Sequence, residues 1–218
     1  MANFVLISTD KAVHPISVMG ASKRWAELIV RDLGRKAEKN NTGQLFCAVR
    51  FGNVLGSNGS VVPLFRDQIA KGGPITLTGE NMTRYFMSVH EAAELIVQAG
   101  ALSKEGDIFL LEMGEPVRIR DLAENMVRLA GLELRTQQNP GGDIEIAIIG
   151  ARKGEKVNEE LFYEPGQASK TRQPKILRAK RGELSKRDIN KGLARLEKLV
   201  ATGDEEQIRA FLFEFVTI

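Results

Sequence analysis

The sequence predicts an α/β fold built on parallel strands, on three observations. Residues 4–7 and 45–49, the latter in a strand expected to run to Phe51, are short, continuous apolar runs rich in β-branched and aromatic side chains, the pattern of strands buried on both faces. An amphipathic helical repeat over 21–36 separates them, which makes a β-α-β unit. Short strands go on alternating with helices downstream, as expected of a second, smaller α/β lobe.

Each element follows from local chemistry. The first strand stops at small and charged residues and so delivers Ser8, Thr9, Asp10 and Lys11 at its carboxyl end, where open α/β sheets bind ligands. Pro15 and Gly20 bracket a loop, and the helix runs from Ala21. Trp25, Leu28, Ile29 and Leu33 form its apolar stripe, expected to pack on the sheet, opposite Arg24, Glu27, Arg31 and Arg35 or Lys36. Met19 and Lys23 share a helix face if the helix begins by Met19. The polar stretch 39–43 ends in glycine and turns the chain into the second strand. Residues 52–59 form a loop at that strand's carboxyl end, and 62–71 a helix closed by Gly72-Gly73-Pro74. Strands are expected over 75–78, 107–111 and 144–149, an extended segment over 82–87, and helices over 90–101, 119–130, 193–200 and 208–216.

Composition bounds the function classes. With 218 residues, 43% apolar and 27% charged, the chain is that of a globular protein of one or two domains. Its single cysteine, Cys47, lies in an apolar run and reads as a core thiol. No segment approaches the ~18 apolar residues of a membrane span, and no secretory signal pattern opens the chain, so the expected location is cytoplasmic. Residues 170–198 hold eleven Lys or Arg against three acids, an excess of eight that leaves about minus five for the rest of a chain of net charge +3. Such a run is expected to be a solvated face. It has no aromatic residue for stacking on bases, and no specific nucleic-acid partner is expected. His14 and His90 lack metal-ligand spacing, which points to loop and helix-cap roles and to no metal site.

Several motifs carry a family resemblance. Ser-Thr-Asp-Lys-Ala-Val from Ser8 and Val-Met-Gly-Ala-Ser-Lys ending at Lys23 resemble the extended short-chain dehydrogenase/reductases that make bacterial surface sugars. The match is specifically to the capsular-polysaccharide nucleotide-sugar 4,6-dehydratase/epimerase family. It continues through Arg50-Phe51-Gly52-Asn53-Val54-Leu55-Gly56-Ser57, Met82-Thr83-Arg84-Tyr85-Phe86-Met87 and Gly150-Ala151-Arg152-Lys153-Gly154-Glu155-Lys156.

The resemblance implies the C-terminal part of a Rossmann-like doubly wound parallel sheet plus a smaller α/β substrate-binding lobe. Residues 1–60 would belong to the catalytic domain, 61–169 mainly to the substrate lobe with the chain returning to the sheet, and 170–218 to a basic segment and terminal helices. No Gly-x-Gly-x-x-Gly turn follows a first strand, so the expectation is a portion of a longer enzyme, relatives of which carry membrane-spanning helices ahead of the catalytic domain. NAD or NADP would serve the full-length enzyme, with none held tightly by this chain alone.

By the same resemblance Asp10 is the acid for the leaving hydroxyl and Lys11 the base at sugar carbon 5, with Thr9 or water as candidates for the carbon 4 base. Lys23 holds the nicotinamide ribose, and Ser8 and Phe51 also line the cofactor. Met19 stands where the wider superfamily has tyrosine, and a thioether has no proton to transfer. Asn53, Arg84, Arg152 and Glu155 are assigned to a UDP-sugar, since arginine's planar fork suits a diphosphate. Lys153 stands where relatives often have proline. The implied activity is a UDP-N-acetylhexosamine 4,6-dehydratase, with epimerisation and a homo-oligomer also open. The alternative is a noncatalytic sugar-nucleotide-binding or assembly module.

Overall fold

In the computed structural model, which describes residues 3–160, 168–179 and 188–216, strands and helices alternate along most of the chain. Strand β1 (Asn3–Ile7) leads through a one-turn 3-10 helix, Asp10–Ala12, to α1 (Val18–Lys39). Strands β2 (Leu45–Arg50) and β3 (Asn53–Val54) precede α2 (Val61–Ala70) and β4 (Ile75–Leu77). Next come β5 (Thr83–Arg84), β6 (Phe86–Met87), α3 (Val89–Leu102) and β7 (Asp107–Leu111). Strand β8 (Val117–Arg118), α4 (Ile119–Leu129), β9 (Ile146–Ile148), β10 (Ala168–Lys170) and β11 (Ile176–Ala179) follow, and α5 (Ile189–Thr202) and α6 (Glu205–Val216) finish the chain.

The elements fall into two compact units. One comprises the chain up to Phe51, His90–Glu112 and the chain from Glu160; the other comprises Gly52–Val89 and Met113–Glu159. In the first unit a five-stranded sheet has the order β1-β2-β7-β11-β10. Strands β1, β2 and β7 are parallel, as the apolar runs predicted, whereas β11 and β10 complete the sheet as an antiparallel pair. This hairpin departs from the expectation of a wholly basic, solvated 170–198. Ile176 is fully buried opposite Leu111, and Arg178 reaches the buried Asp107 carboxylate at 3.3 Å. Lys180, Arg181, Lys186 and Arg187 of that segment lie outside the described residues.

Further expectations are corrected. Strand β1 was expected to be buried, but it pairs with β2 alone among the described residues and forms the sheet edge, with Phe4 and Ile7 39% and 44% exposed. Helix α1 starts at Val18 rather than Ala21, because the Ser17 hydroxyl caps it by accepting the Gly20 N–H at 3.1 Å. Much of its apolar stripe packs on the terminal helices: Ala21, Trp25 and Leu28 cluster with Ile189, Phe211, Leu212 and Val216, whereas Leu33 is exposed. The Trp25 ring stacks on Phe215 with centroids 3.8 Å apart. The opposite, charged face buries Arg24, Glu27 and Arg31, and Gly34 meets the backbone of Gly106 just before β7.

The second unit packs α2 and α4 on the parallel pair β4 and β9, around Phe65, Ile69, Ile75, Leu77, Ala123, Val127 and Ile144. The Gln68 side chain clips α2 to β4 by hydrogen bonds to both the hydroxyl and the backbone N–H of Thr76. Two short pairs, β3 with β6 and β5 with β8, carry the Asn53 and Arg84 motifs.

Candidate active site

The carboxyl end of β1 gathers most of the predicted catalytic residues. On a regular strand Asp10 and Lys11 would point to opposite faces, so one site needs the pleat to break. It does: the Thr9 hydroxyl caps the 3-10 turn by accepting the Lys11 N–H, and the Asp10 N–H donates to the Phe51 carbonyl at 3.2 Å. The turn brings Lys11 Nζ to 2.9 Å from Asp10 Oδ1, an oxygen that also accepts the Thr9 hydroxyl at 2.8 Å. Asp10 is fully buried and its Oδ2 has no hydrogen-bond partner among the described residues, whereas Lys11 is partly open to solvent. A buried carboxyl oxygen without a partner is costly, and a substrate hydroxyl would relieve it.

Helix α1 places Lys23 beside this turn, where its Nζ donates to the Ile7 carbonyl at 3.1 Å. Met19 lies one turn earlier on the same helix and is 47% exposed. Gly20 brings the helix onto the turn: a Cβ there would stand 2.3 Å from the Lys11 carbonyl oxygen.

Behind the turn lies a charged cluster on the face of α1 opposite its apolar stripe. The fully buried Glu27 carboxylate accepts the Ser8 hydroxyl at 2.6 Å, Arg50 through Nε and Nη2 at 2.6 Å each, and Arg24 at 3.0 Å. Burial pushes the Glu27 carboxyl up, but Arg50, Arg24 and the Ser8 hydroxyl outweigh it and hold the group below the usual carboxylate range. Ser8, expected at the cofactor, thus spends its hydroxyl on Glu27, and Phe51 is buried with its carbonyl committed to Asp10. The available signal for Glu27 was its position four residues after Lys23, on the same helix face.

The second unit brings together Arg84 and Glu155. Arg84 is largely buried, paired with Glu155 at 3.2 Å and Glu159 at 3.5 Å, and donates to the Val157 carbonyl. Glu155 also accepts the Thr78 hydroxyl and the Arg152 N–H, so it fixes the turn that presents the exposed Arg152. Asn53 opens β3 with its N–H on the Tyr85 carbonyl. Among the described residues there is no cluster of potential metal ligands, and no helix is long and apolar enough to cross a membrane.

The residues at the β1 turn fit the reacting end of a nicotinamide, with an orphaned buried carboxyl oxygen and a lysine beside it. No glycine turn that would cradle the cofactor's diphosphate follows β1.

The sequence pattern of a family described as polysaccharide biosynthesis protein matches residues 1–181. The chain is 52% identical over 162 residues to the capsular polysaccharide biosynthesis protein CapD of Staphylococcus aureus, covering 74% of this chain and 25% of CapD. It is 37% identical over 161 residues to a UDP-glucose 4-epimerase of Rickettsia canadensis, covering 74% of this chain and 43% of that protein. This chain therefore spans about a quarter of one relative and less than half of the other. Among solved structures, Pen from Bacillus thuringiensis superposes with a TM-score of 0.70 at 34% identity, over 85% of this chain and 54% of Pen. DesIV, a dTDP-glucose 4,6-dehydratase from Streptomyces venezuelae solved with NAD bound, shares the fold, with a TM-score of 0.58 at 20% identity over 74% of this chain and 51% of DesIV.

Proposed function

The chain belongs to the polysaccharide biosynthesis protein family, and on that premise we propose that it carries the catalytic and substrate-binding residues of a UDP-N-acetylhexosamine 4,6-dehydratase. The observation that carries the reading is the β1 turn, where a buried carboxyl with one unpartnered oxygen is hydrogen-bonded through the other to a lysine. A bound nicotinamide, NAD or NADP, would supply the acceptor for the carbon 4 hydride and return it at carbon 6. Its diphosphate would be held by residues other than these.

The chain's own groups handle the protons. Elimination across carbons 5 and 6 needs a base and an acid together. Lys11 in its neutral form takes the carbon 5 proton, and protonated Asp10 gives its proton to the carbon 6 hydroxyl, which leaves as water. The products of that step are a lysine ammonium and an aspartate carboxylate, whose Nζ and Oδ1 atoms are within hydrogen-bond reach at 2.9 Å. As the hydride returns to carbon 6, the Lys11 proton goes back to carbon 5 and the proton released from the carbon 4 hydroxyl returns to Asp10, which restores the neutral pair. Thr9, hydrogen-bonded to Asp10, or a water removes the carbon 4 hydroxyl proton, because Met19 cannot. Lys23 orients the nicotinamide ribose. Asn53 and Arg152 are assigned to the sugar nucleotide, with Arg84 and Glu155 shaping the Arg152 turn or joining it on the ligand.

A second reading is a noncatalytic sugar-nucleotide-binding or assembly module. One assay separates them: formation of a 4-keto sugar from UDP-N-acetylglucosamine by the native polypeptide that contains these residues. Asp10→Asn and Lys11→Met should each lower the rate ~10²–10⁴-fold. Full activity in both variants would overturn the catalytic assignment, and a native protein that binds UDP-sugar without turnover would establish the second reading.

A further inference from the structure

Glu27 takes no part in the chemistry proposed above, yet it is the most completely engaged carboxylate described in the protein. Each of its oxygens accepts two donors: Oε1 from Ser8 and Arg50, and Oε2 from Arg50 and Arg24. Those donors come from three places in the chain. Ser8 lies two residues before Asp10 at the end of β1, Arg50 is the last residue of β2, and Arg24 shares α1 with Glu27.

Each donor's neighbour in sequence touches the β1 turn. Phe51, next to Arg50, accepts the Asp10 N–H, and Lys23, next to Arg24, donates to Ile7. Lys23 and Glu27 are four residues apart on one helix face, so α1 is pinned to the end of β1 at two points one helical turn apart. Burial of such a charge cluster is a poor route to stability, since apolar residues of similar volume in its place are often neutral or stabilising. What the cluster supplies is register between two strand ends and a helix.

We propose that Glu27 is a positioning residue that holds the Asp10–Lys11 turn and Lys23 in mutual alignment, with Ser8 and Arg50 as its anchors on the two strands. The importance of that alignment rests on the dehydratase reading, but its test does not: failure of the activity assay would leave the readings below intact.

The experiment compares Ser8→Ala and Glu27→Gln with the parent chain by amide hydrogen exchange and by the carboxyl carbon resonance of Asp10 at one fixed pH. The 218-residue chain is used throughout. The amides of Asp10, Ala12 and Val13, which close the turn onto Phe51, Thr9 and Asp10, should exchange at least ~10-fold faster. Phe109 and Leu110 at the sheet centre should keep their rates, and the Asp10 resonance should move.

A role in stability alone would accelerate every sheet amide by one factor and leave the Asp10 resonance in place. That result, or parent-like behaviour at the turn, overturns the proposal. Should Glu27→Gln fail to fold, Ser8→Ala, which leaves all the buried charges paired, decides by the same two readings.

Discussion

Replacing Gly20 by alanine gives a sharp test of how α1 meets the β1 turn. In an exposed helix interior the change would stabilise by about 1 kcal/mol, because alanine loses less backbone freedom than glycine. Here the new Cβ would lie 2.3 Å from the Lys11 carbonyl oxygen and 3.2 Å from the Pro15 Cβ. Ordinary contact requires the carbonyl to retreat by roughly 1 Å, and what must move is backbone rather than a flexible side-chain end. Overpacking of this kind costs about 1–3 kcal/mol and more when backbone is involved, so it cancels or exceeds the helical gain.

The expected net loss is about 1–2 kcal/mol, or about 2–8 °C in melting temperature for a chain of this size. Gly100→Ala is the internal control, since its Cβ would meet only the Val5 Cγ2 methyl at 3.1 Å, which can yield. Thermal and urea denaturation of both variants should place Gly20→Ala below the parent and Gly100→Ala at or above it. Equal or greater stability for Gly20→Ala would refute the close approach of helix and turn.

Two further predictions concern titration and reactivity. Glu27 has its folded pKa lowered from 4.5, so the unfolded chain binds the extra proton first; the stability it contributes is full above about 4.5 and is lost as pH falls through the folded value. Urea midpoints should therefore drop as pH is lowered below 4.5, and Glu27→Gln should flatten that part of the curve; an unchanged slope would argue against the ion cluster. Cys47 is pushed from 9.0 up to about 11 by burial, with Asp107 adding to the rise and Ser103 opposing it. Its thiolate fraction near neutral pH should be about a hundredfold smaller than in the unfolded chain, so alkylation should be at least that much slower before urea is added.

The sequence disclosed the strand end well and its surroundings poorly. The apolar run before Ser8 and the Met19–Lys23 spacing located the turn, because strand ends and helix faces are local properties. Periodicity also found the two faces of α1, but it could not say what each would meet. Trp25 and Leu28 turned out to face α5 and α6, roughly 160 to 190 residues later in the chain, and Glu27 was buried because donors from the ends of β1 and β2 converge on it. A helical wheel treats a charge as solvated; only tertiary pairing reveals one that is not. The β10–β11 hairpin was missed for a related reason: Ile176 and Leu177 are its only large apolar residues, too few to register as a strand without β7 beside them. The engagement of Arg84 by Glu155 and Glu159 links residues more than seventy positions apart, beyond any local signal.

The interrupted path of the first unit bears on how the protein is made. Strand β7, buried at all five positions, pairs with β2 on one side and with β11 on the other. Residue 176 leaves the ribosome 65 residues after residue 111 (176 − 111 = 65), a delay of roughly 3–13 s at typical synthesis rates. During that interval one edge of a strand buried along its whole length lacks its native cover, so slower translation across 112–176 should raise the nascent chain's exposure to aggregation and chaperone capture.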